Sequence, residues 1–193
     1  MDQILDVENK TDEELVILTR SAPDAYYYLV ARYEDKILRY VRRITNYSKE
    51  ITEDLGQEIF LKAYENIHDF DTDLKFSSWL YRIAHNHVVS YWRKNKKNSR
   101  LCSLDADESF KNILKSDETM SCAIDRGITA LSIAEAMGKL RPLYKEVLVL
   151  RYMEDREYQE ISDIIKKPVG TVGTLIARAK KAIKANLDIN CLQ

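Results

Sequence analysis

Residues 158–184 read YQEISDIIKKPVGTVGTLIARAKKAIK, and the way this stretch divides decides the fold. Tyr158 to Ile165 is a short helix, and Lys166-Lys-Pro-Val-Gly170 is a tight turn. Thr171 then caps a last helix in which Val172, Ile176, Ala179, Ile183 and Leu187 share the inward face. Gly173, Thr174, Ala177, Arg178, Lys181 and Lys184 fall outward or to the side. Two helices joined by a short turn, the second small and polar at its exposed start, fit a helix-turn-helix. An ordinary helical hairpin is the alternative.

The same periodicity extends upstream. Pro142 suits the first turn of a helix LYKEVLVLRY, and Met153 to Arg156 reads as a turn. Helical spacing begins at Ile128, which sets a C-terminal domain at 126–193. Between 98 and 125 the periodicity weakens while Ser, Asp and Glu accumulate, as in an acidic linker, with a short helix expected near Phe110–Leu114. Residues 1–97 form the other domain. Thr11-Asp-Glu-Glu14 is a capping box opening its first helix, and Asp24 after Pro23 can cap a second. There Tyr26, Leu29, Val30, Tyr33, Ile37, Tyr40, Val41 and Ile44 recur at helical spacing, so these tyrosines read as core. A third helix spans about Thr52 to Ile67 with Leu55, Ile59, Phe60 and Ala63 inward, followed by a loop from His68 to Lys75. The fold class is therefore all-α: two small helical domains joined by a flexible acidic linker, the C-terminal one a helix-turn-helix.

The stretch from Phe76 to Lys97, FSSWLYRIAHNHVVSYWRKNKK, interleaves aromatics with cations and contains no acid. On a helix, Leu80, Ile83, Ala84, His87, Val88 and Tyr91 share one side, while Trp79, Arg82, Asn86, Ser90, Arg93 and Lys97 fall on another. A surface that tracks phosphates and stacks on unpaired bases needs cations and an aromatic on its outer face. A solvated basic helix with partly buried aromatics needs no partner at all. Taken alone, the stretch leaves both readings open.

Composition narrows the function classes. Five glycines and three prolines are too few for a turn-rich all-β fold. No apolar run reaches membrane-spanning length, and the acidic start MDQILDVENK is unlike a signal peptide, so a cytoplasmic protein without membrane insertion is expected. Cys102, Cys122 and Cys191 are widely spaced and odd in number, as free thiols in a reducing compartment would be. His85 and His87 point in different directions on a helix, so no metal site is expected, and His87 reads as a core histidine. The net charge of −1 conceals a pattern: six bases and no acid from Lys166 to Lys184, five bases and no acid over 91–100, and six acids against two bases over 101–125. Asp54 and Glu58 form a carboxylate pair, but no nucleophile, ligand cluster or Gly-rich phosphate loop accompanies them. Neither catalysis nor a cofactor is expected.

Four segments in this order resemble the extracytoplasmic-function sigma factors, the minimal two-domain group of the sigma-70 family. They are Ala25 to Tyr33 (AYYYLVARY), Glu53 to Tyr64 (EDLGQEIFLKAY), Phe70-Asp71 with Phe76 to Ala84 (FSSWLYRIA) and Asn86, and Leu140 to Ala182, especially Glu146 to Arg151, Glu160-Ile161 and Pro168 to Val172. The resemblance implies a protein that binds core RNA polymerase and directs it to promoter DNA. The first domain would capture the non-template strand of the minus-ten element, with Phe70, Asp71, Phe76, Trp79, Arg82, Asn86, Arg93, Lys94 and Lys97 along it. Lys96 and Arg100 would add phosphate contacts. The helix-turn-helix would read the minus-thirty-five element through Thr171, Gly173, Thr174, Ala177, Arg178 and Lys181. Asp54, Gln57 and Glu58 stand where the family contacts the polymerase, and an anti-sigma factor is implied as a further partner.

Three departures from the family pattern stand out. Ser90 replaces a usual Asp, and Trp92 a smaller or aliphatic residue. Gly173 and Leu175 stand in the recognition helix where Lys and Arg are common, which should weaken phosphate contacts. The competing class is a helix-turn-helix regulator that does not associate with polymerase. One of the response-regulator type would carry an alternating β/α receiver, which the helical first hundred residues do not offer.

Overall fold

The computed structural model describes residues 9–95 and 130–190, with side chains as far as Leu187. Every described element is helical. In order these are α1 (Asp12–Ser21), a 3-10 turn (Pro23–Ala25), α2 (Tyr26–Thr45), α3 (Lys49–Glu65), a 3-10 turn (Ile67–Asp69), α4 (Phe76–Asn95), α5 (Ala130–Gly138), α6 (Pro142–Tyr152), α7 (Tyr158–Ile165) and α8 (Val169–Asn190). Two compact units result, one mainly of residues 9–41 and 49–95, the other mainly of residues 130–162 and 166–190. The 98–125 linker, the helix expected near Phe110–Leu114, Lys96, Lys97, Arg100 and all three cysteines lie outside the described residues.

In the first unit, α1 opens on the capping box expected from Thr11. The Glu14 N–H donates to Thr11 Oγ1 at 3.2 Å, and the Thr11 N–H donates to Glu14 Oε2 at 2.7 Å. Such a cap stabilises by about 1 kcal/mol. Along α2, Leu29, Tyr33, Ile37, Tyr40 and Val41 are buried at the expected spacing. Tyr26 is only half-buried, because its hydroxyl turns out to donate to the Phe60 carbonyl at 2.7 Å. Leu55, Ile59, Phe60 and Ala63 of α3 all face inward. Gly56 is buried among them. A Cβ there would stand 2.5 Å from Leu38 Cδ2, so the missing side chain is what admits Leu38 of α2.

Helix α4 packs along α3 and also touches α1. Its buried residues are Phe76, Leu80, Tyr81, Ala84, His87 and Val88, whereas Ile83 and Tyr91 are only half-buried. Tyr81 extends the inward face expected from periodicity. Its ring meets Tyr40 edge-on with centroids 5.0 Å apart, since a helix covered from more than one side buries a wider arc than a single stripe.

In the second unit, α8 packs on α5 and α6. All five residues expected inward, Val172, Ile176, Ala179, Ile183 and Leu187, are buried. The Asn186 amide donates to the Ala136 carbonyl at 3.1 Å, tying α8 to α5. In the turn between α7 and α8, Lys166 adopts the left-handed conformation (φ 53°), and the Ser162 hydroxyl donates to the Lys167 carbonyl at 2.6 Å. Helix α8 also begins at Val169, ahead of Thr171, because the Pro168 carbonyl already accepts from the Thr171 and Val172 N–H groups (2.8 and 3.0 Å). Proline has no N–H to leave unsatisfied at a helix start, and its fixed φ suits the following turn. Thr171 thereby moves from cap to exposed first-turn residue.

Candidate functional site

Four aromatic rings gather at the root of the 70–75 loop. Phe70 lies 5.8 Å from Phe76 and 5.1 Å from Trp79, Phe76 lies 5.6 Å from Trp79, and Tyr33 meets Phe76 edge-on at 5.6 Å. Phe70 and Phe76 are 3% and 1% exposed and offer no open ring face in this conformation. Trp79 is half-buried on the same cluster and so keeps part of its surface exposed. Asp71 is exposed at the loop tip, its side chain accepting from the Asp73 N–H at 3.0 Å. From Trp79 the stripe continues through half-buried Arg82 to exposed Asn86, Ser90 and Arg93, with exposed Lys94 beside it. At 1.5 Å per residue, Trp79 to Arg93 spans about 21 Å. The structure thus brings Asp71, Trp79, Arg82, Asn86, Arg93 and Lys94 to a surface and places Phe70 and Phe76 beneath it. Lys97 lies outside the described residues.

On α3, Asp54, Gln57 and Glu58 are all exposed on one side. Sequence reasoning missed the apolar half of that stripe. Leu61 is 58% and Tyr64 40% exposed, and Tyr27 at the start of α2 is 69% exposed. Together with Tyr26, Gln57 and Phe60 they line a groove of about 1600 Å³. The signal was available: Asp54, Gln57, Glu58, Leu61 and Tyr64 follow the spacing of one helix face. Exposed aromatics and an aliphatic gathered on one face are the kind of apolar patch that marks a docking surface.

Beneath this face, His87 of α4 is enclosed by two α3 residues. Lys62 Nζ donates to its Nδ1 at 2.6 Å, and Glu58 Oε2 stands 2.9 Å from its Nε2, at ion-pair distance though not aligned as a hydrogen bond. A lysine only donates, so Nδ1 is the acceptor and the ring proton sits on Nε2, facing the carboxylate. Burial, reinforced by the Lys62 charge, lowers the imidazole pKa from its ordinary 6.5, against the opposing pull of Glu58. The folded chain therefore resists a proton that the unfolded chain accepts. Stability is fully present above about pH 6.5 and declines as pH falls through the folded value. Urea midpoints measured between pH 7.5 and 5 should fall with pH, and His87→Gln should flatten that slope.

On the helix-turn-helix, Thr171, Thr174, Ala177, Arg178 and Lys181 are exposed along α8, with the Thr174 hydroxyl donating back to the Gly170 carbonyl at 3.0 Å. Gly173 is half-buried beside Tyr158 of α7, whose ring is 41% exposed and lies under the Arg151 guanidinium. Tyr158 borders the exposed face of α8 at Gly173 and was not anticipated from sequence.

Comparison with known proteins fits both units. Residues 29–98 match the family model for sigma-70 region 2, and residues 130–183 match that for sigma-70 region 4. The chain is 33% identical to the ECF RNA polymerase sigma factor SigW of Bacillus subtilis (strain 168), over 85% of this chain and 89% of that protein. The chain belongs to the extracytoplasmic-function group of the sigma-70 family. It is also 34% identical to the RNA polymerase sigma-H factor of Pseudomonas aeruginosa, over 92% and 94% of the two chains. In fold it resembles CnrH, solved in complex with the cytosolic domain of CnrY, with TM-score 0.68 and 24% identity over 93% of this chain and 99% of that one.

Within this sigma factor, α2 from Leu29 onward, α3 and α4 belong to region 2, and α5 to α8 carry region 4. The structure also clarifies Gly173. A Cβ there would meet only Tyr158 Cε2, at 3.7 Å, an ordinary van der Waals distance. Gly173→Ala should therefore stabilise the chain by about 1 kcal/mol, read as a raised urea midpoint. Gly173→Lys should steepen the salt dependence of duplex binding by about 0.9 in log–log slope.

Proposed function

We propose that this alternative sigma factor directs core RNA polymerase to specific promoters and helps open them by capturing one strand. The observation that carries the strand-capture reading is the acid-free α4 stripe, Trp79, Arg82, Asn86, Arg93 and Lys94, running from an aromatic-rooted loop. Trp79 supplies a stacking edge, Arg82 and Arg93 supply phosphate or base contacts, and Asp71 and Asn86 supply polar contacts to base edges. Phe70 and Phe76 hold Trp79 in place from below. Lys97, which lies outside the described residues, is a further proposed contact to the strand.

Thr171, Gly173, Thr174, Ala177, Arg178 and Lys181 meet the upstream element as duplex, the standard use of a second helix in this motif. Core polymerase docks on Asp54, Gln57 and Glu58 together with Leu61, Tyr64 and Tyr27, the apolar groups giving area and the carboxylates orientation. The two domains are 1–97 and 126–193, joined by the acidic linker 98–125, whose charge suits a basic channel on the polymerase. The protein works in the cytoplasm by binding, without catalysis, cofactor or metal. An anti-sigma factor is its further partner; the RpoE of Bartonella quintana was solved with one, NepR.

Reconstitution with core polymerase tests this reading. The full chain should co-purify with core and support run-off transcription from a subset of genomic promoter fragments. Failure of both, with retained binding to duplex DNA, would favour a regulator that works without polymerase.

A further inference from the structure

Helix α4 begins after a lysine at its cap position. Its first turn reads Lys75-Phe-Ser-Ser-Trp79, and the Lys75 carbonyl accepts from the Trp79 N–H at 3.3 Å, which makes Lys75 the cap residue. Lysine has no side-chain acceptor to satisfy the free N–H groups at a helix start. That acceptor comes instead from α1, where Glu13 Oε1 takes the Phe76 N–H at 2.9 Å across 63 residues of sequence. Two turns along α1, and on the same face, Arg20 donates from one guanidinium nitrogen to the carbonyls of Phe70 (2.5 Å) and Ile67 (3.4 Å). One helix thus holds both ends of the 67–76 segment, a carboxylate on the N–H at one end and a guanidinium on the carbonyls at the other.

Helix α1 has anchors of its own besides its contact with the 67–69 turn. Asp12 pairs with Arg32 of α2 at 2.9 Å and accepts from the Tyr33 hydroxyl, and Leu15 and Val16 are fully buried. Arg20 leaves its Nε buried without a hydrogen-bond partner, a cost accepted to put the guanidinium tip on the loop. All of α1 lies before the residues matched to region 2.

We infer that Glu13 and Arg20 are positioning residues for strand capture, holding the 67–76 loop in the shape that seats Trp79 and presents Asp71. The inference rests on the strand-capture reading above. A loop already ordered before the strand arrives loses less freedom on binding, so freeing it weakens capture without removing any contact to the strand.

The test uses the full chain bound to core polymerase and a labelled single-stranded oligonucleotide, the non-template minus-ten strand of a promoter mapped by run-off transcription. Glu13→Ala and Arg20→Ala should each weaken oligonucleotide binding about tenfold. Glu13→Gln, which keeps an acceptor oxygen, should stay within about threefold of the parent. Affinity for core should not change, and amide exchange should rise at 67–76, including the Phe76 N–H, but not in α2 or α3. Parent-like binding by Glu13→Ala overturns the inference. So does an equal loss in Glu13→Gln, or a Glu13→Ala chain that no longer folds, since Glu13 would then support the domain and not the loop. Trp79→Ala and Arg82→Ala on the same oligonucleotide separate the two levels. If both bind normally, the strand-capture reading itself fails. If both bind weakly while Glu13→Ala binds normally, only the role of α1 fails.

Discussion

Replacing Trp79 or Arg82 with Ala is expected to reduce open-complex formation by roughly 5- to 160-fold, the range that a stacking contact of about 1–3 kcal/mol implies. Arg178→Ala in the recognition helix should cost less, within about fivefold. The ordering follows from where the cations are. Region 4 carries Gly173 and Leu175 at two positions on α8 that could have held basic side chains, so on the proposed reading fewer phosphates would be neutralised there and any one contact would act within a weaker interface. The α4 stretch keeps its cations and has no acid to oppose them from Phe76 to Lys97. Trp79→Ala also removes a ring packed at 5.1 Å on Phe70, so part of its effect acts through the loop. Arg82→Ala is the cleaner variant, because Arg82 lies on the stripe beyond the aromatic root. Permanganate reactivity of opened thymines and run-off yield, at one fixed salt concentration, give both numbers. A larger loss from Arg178→Ala than from either α4 variant would return promoter selectivity to region 4.

The contrast between the two units shows which physics is legible in a sequence. The five inward residues of α8 follow from 3.6-residue periodicity alone, since one amphipathic helix face is local information. The capping box at Thr11 is local in the same sense. The cap on Phe76 is not. Its donor and acceptor are 63 residues apart, and the local sequence at Lys75 contains nothing to announce it. Tyr81 was missed for a related reason: it is buried against Tyr40 of α2, which periodicity within α4 cannot anticipate. The start of α8 was displaced because a threonine near a helix start resembles a cap, whereas Pro168 takes over the role one turn earlier. In the exposed α3 stripe, the polar residues were identified by resemblance. Leu61 and Tyr64 were passed over because an apolar residue in a helix is taken as core until its exposure is known.

Residue type could not say whether Phe76 stacks on a base or plugs the core, and substitution can. Phe76 is 1% exposed and meets Tyr33, Phe70 and Trp79 at ring separations of 5.6, 5.8 and 5.6 Å. Phe76→Ala should therefore destabilise the first unit by about 3–5 kcal/mol, seen as a lowered urea midpoint, and should weaken strand capture as Trp79 loses its seat. Phe76→Leu refills most of the space and should cost about 1 kcal/mol, leaving oligonucleotide binding within about threefold of the parent. A residue that stacked directly on a base would behave in the opposite way. Leucine has no π face, so Phe76→Leu would then lose about 1–3 kcal/mol of strand affinity with the urea midpoint little changed. The two variants separate the roles because packing responds to volume and stacking to aromaticity. In this structure the volume of Phe76 fills the loop root, and Trp79, half-buried against it, keeps part of its surface exposed.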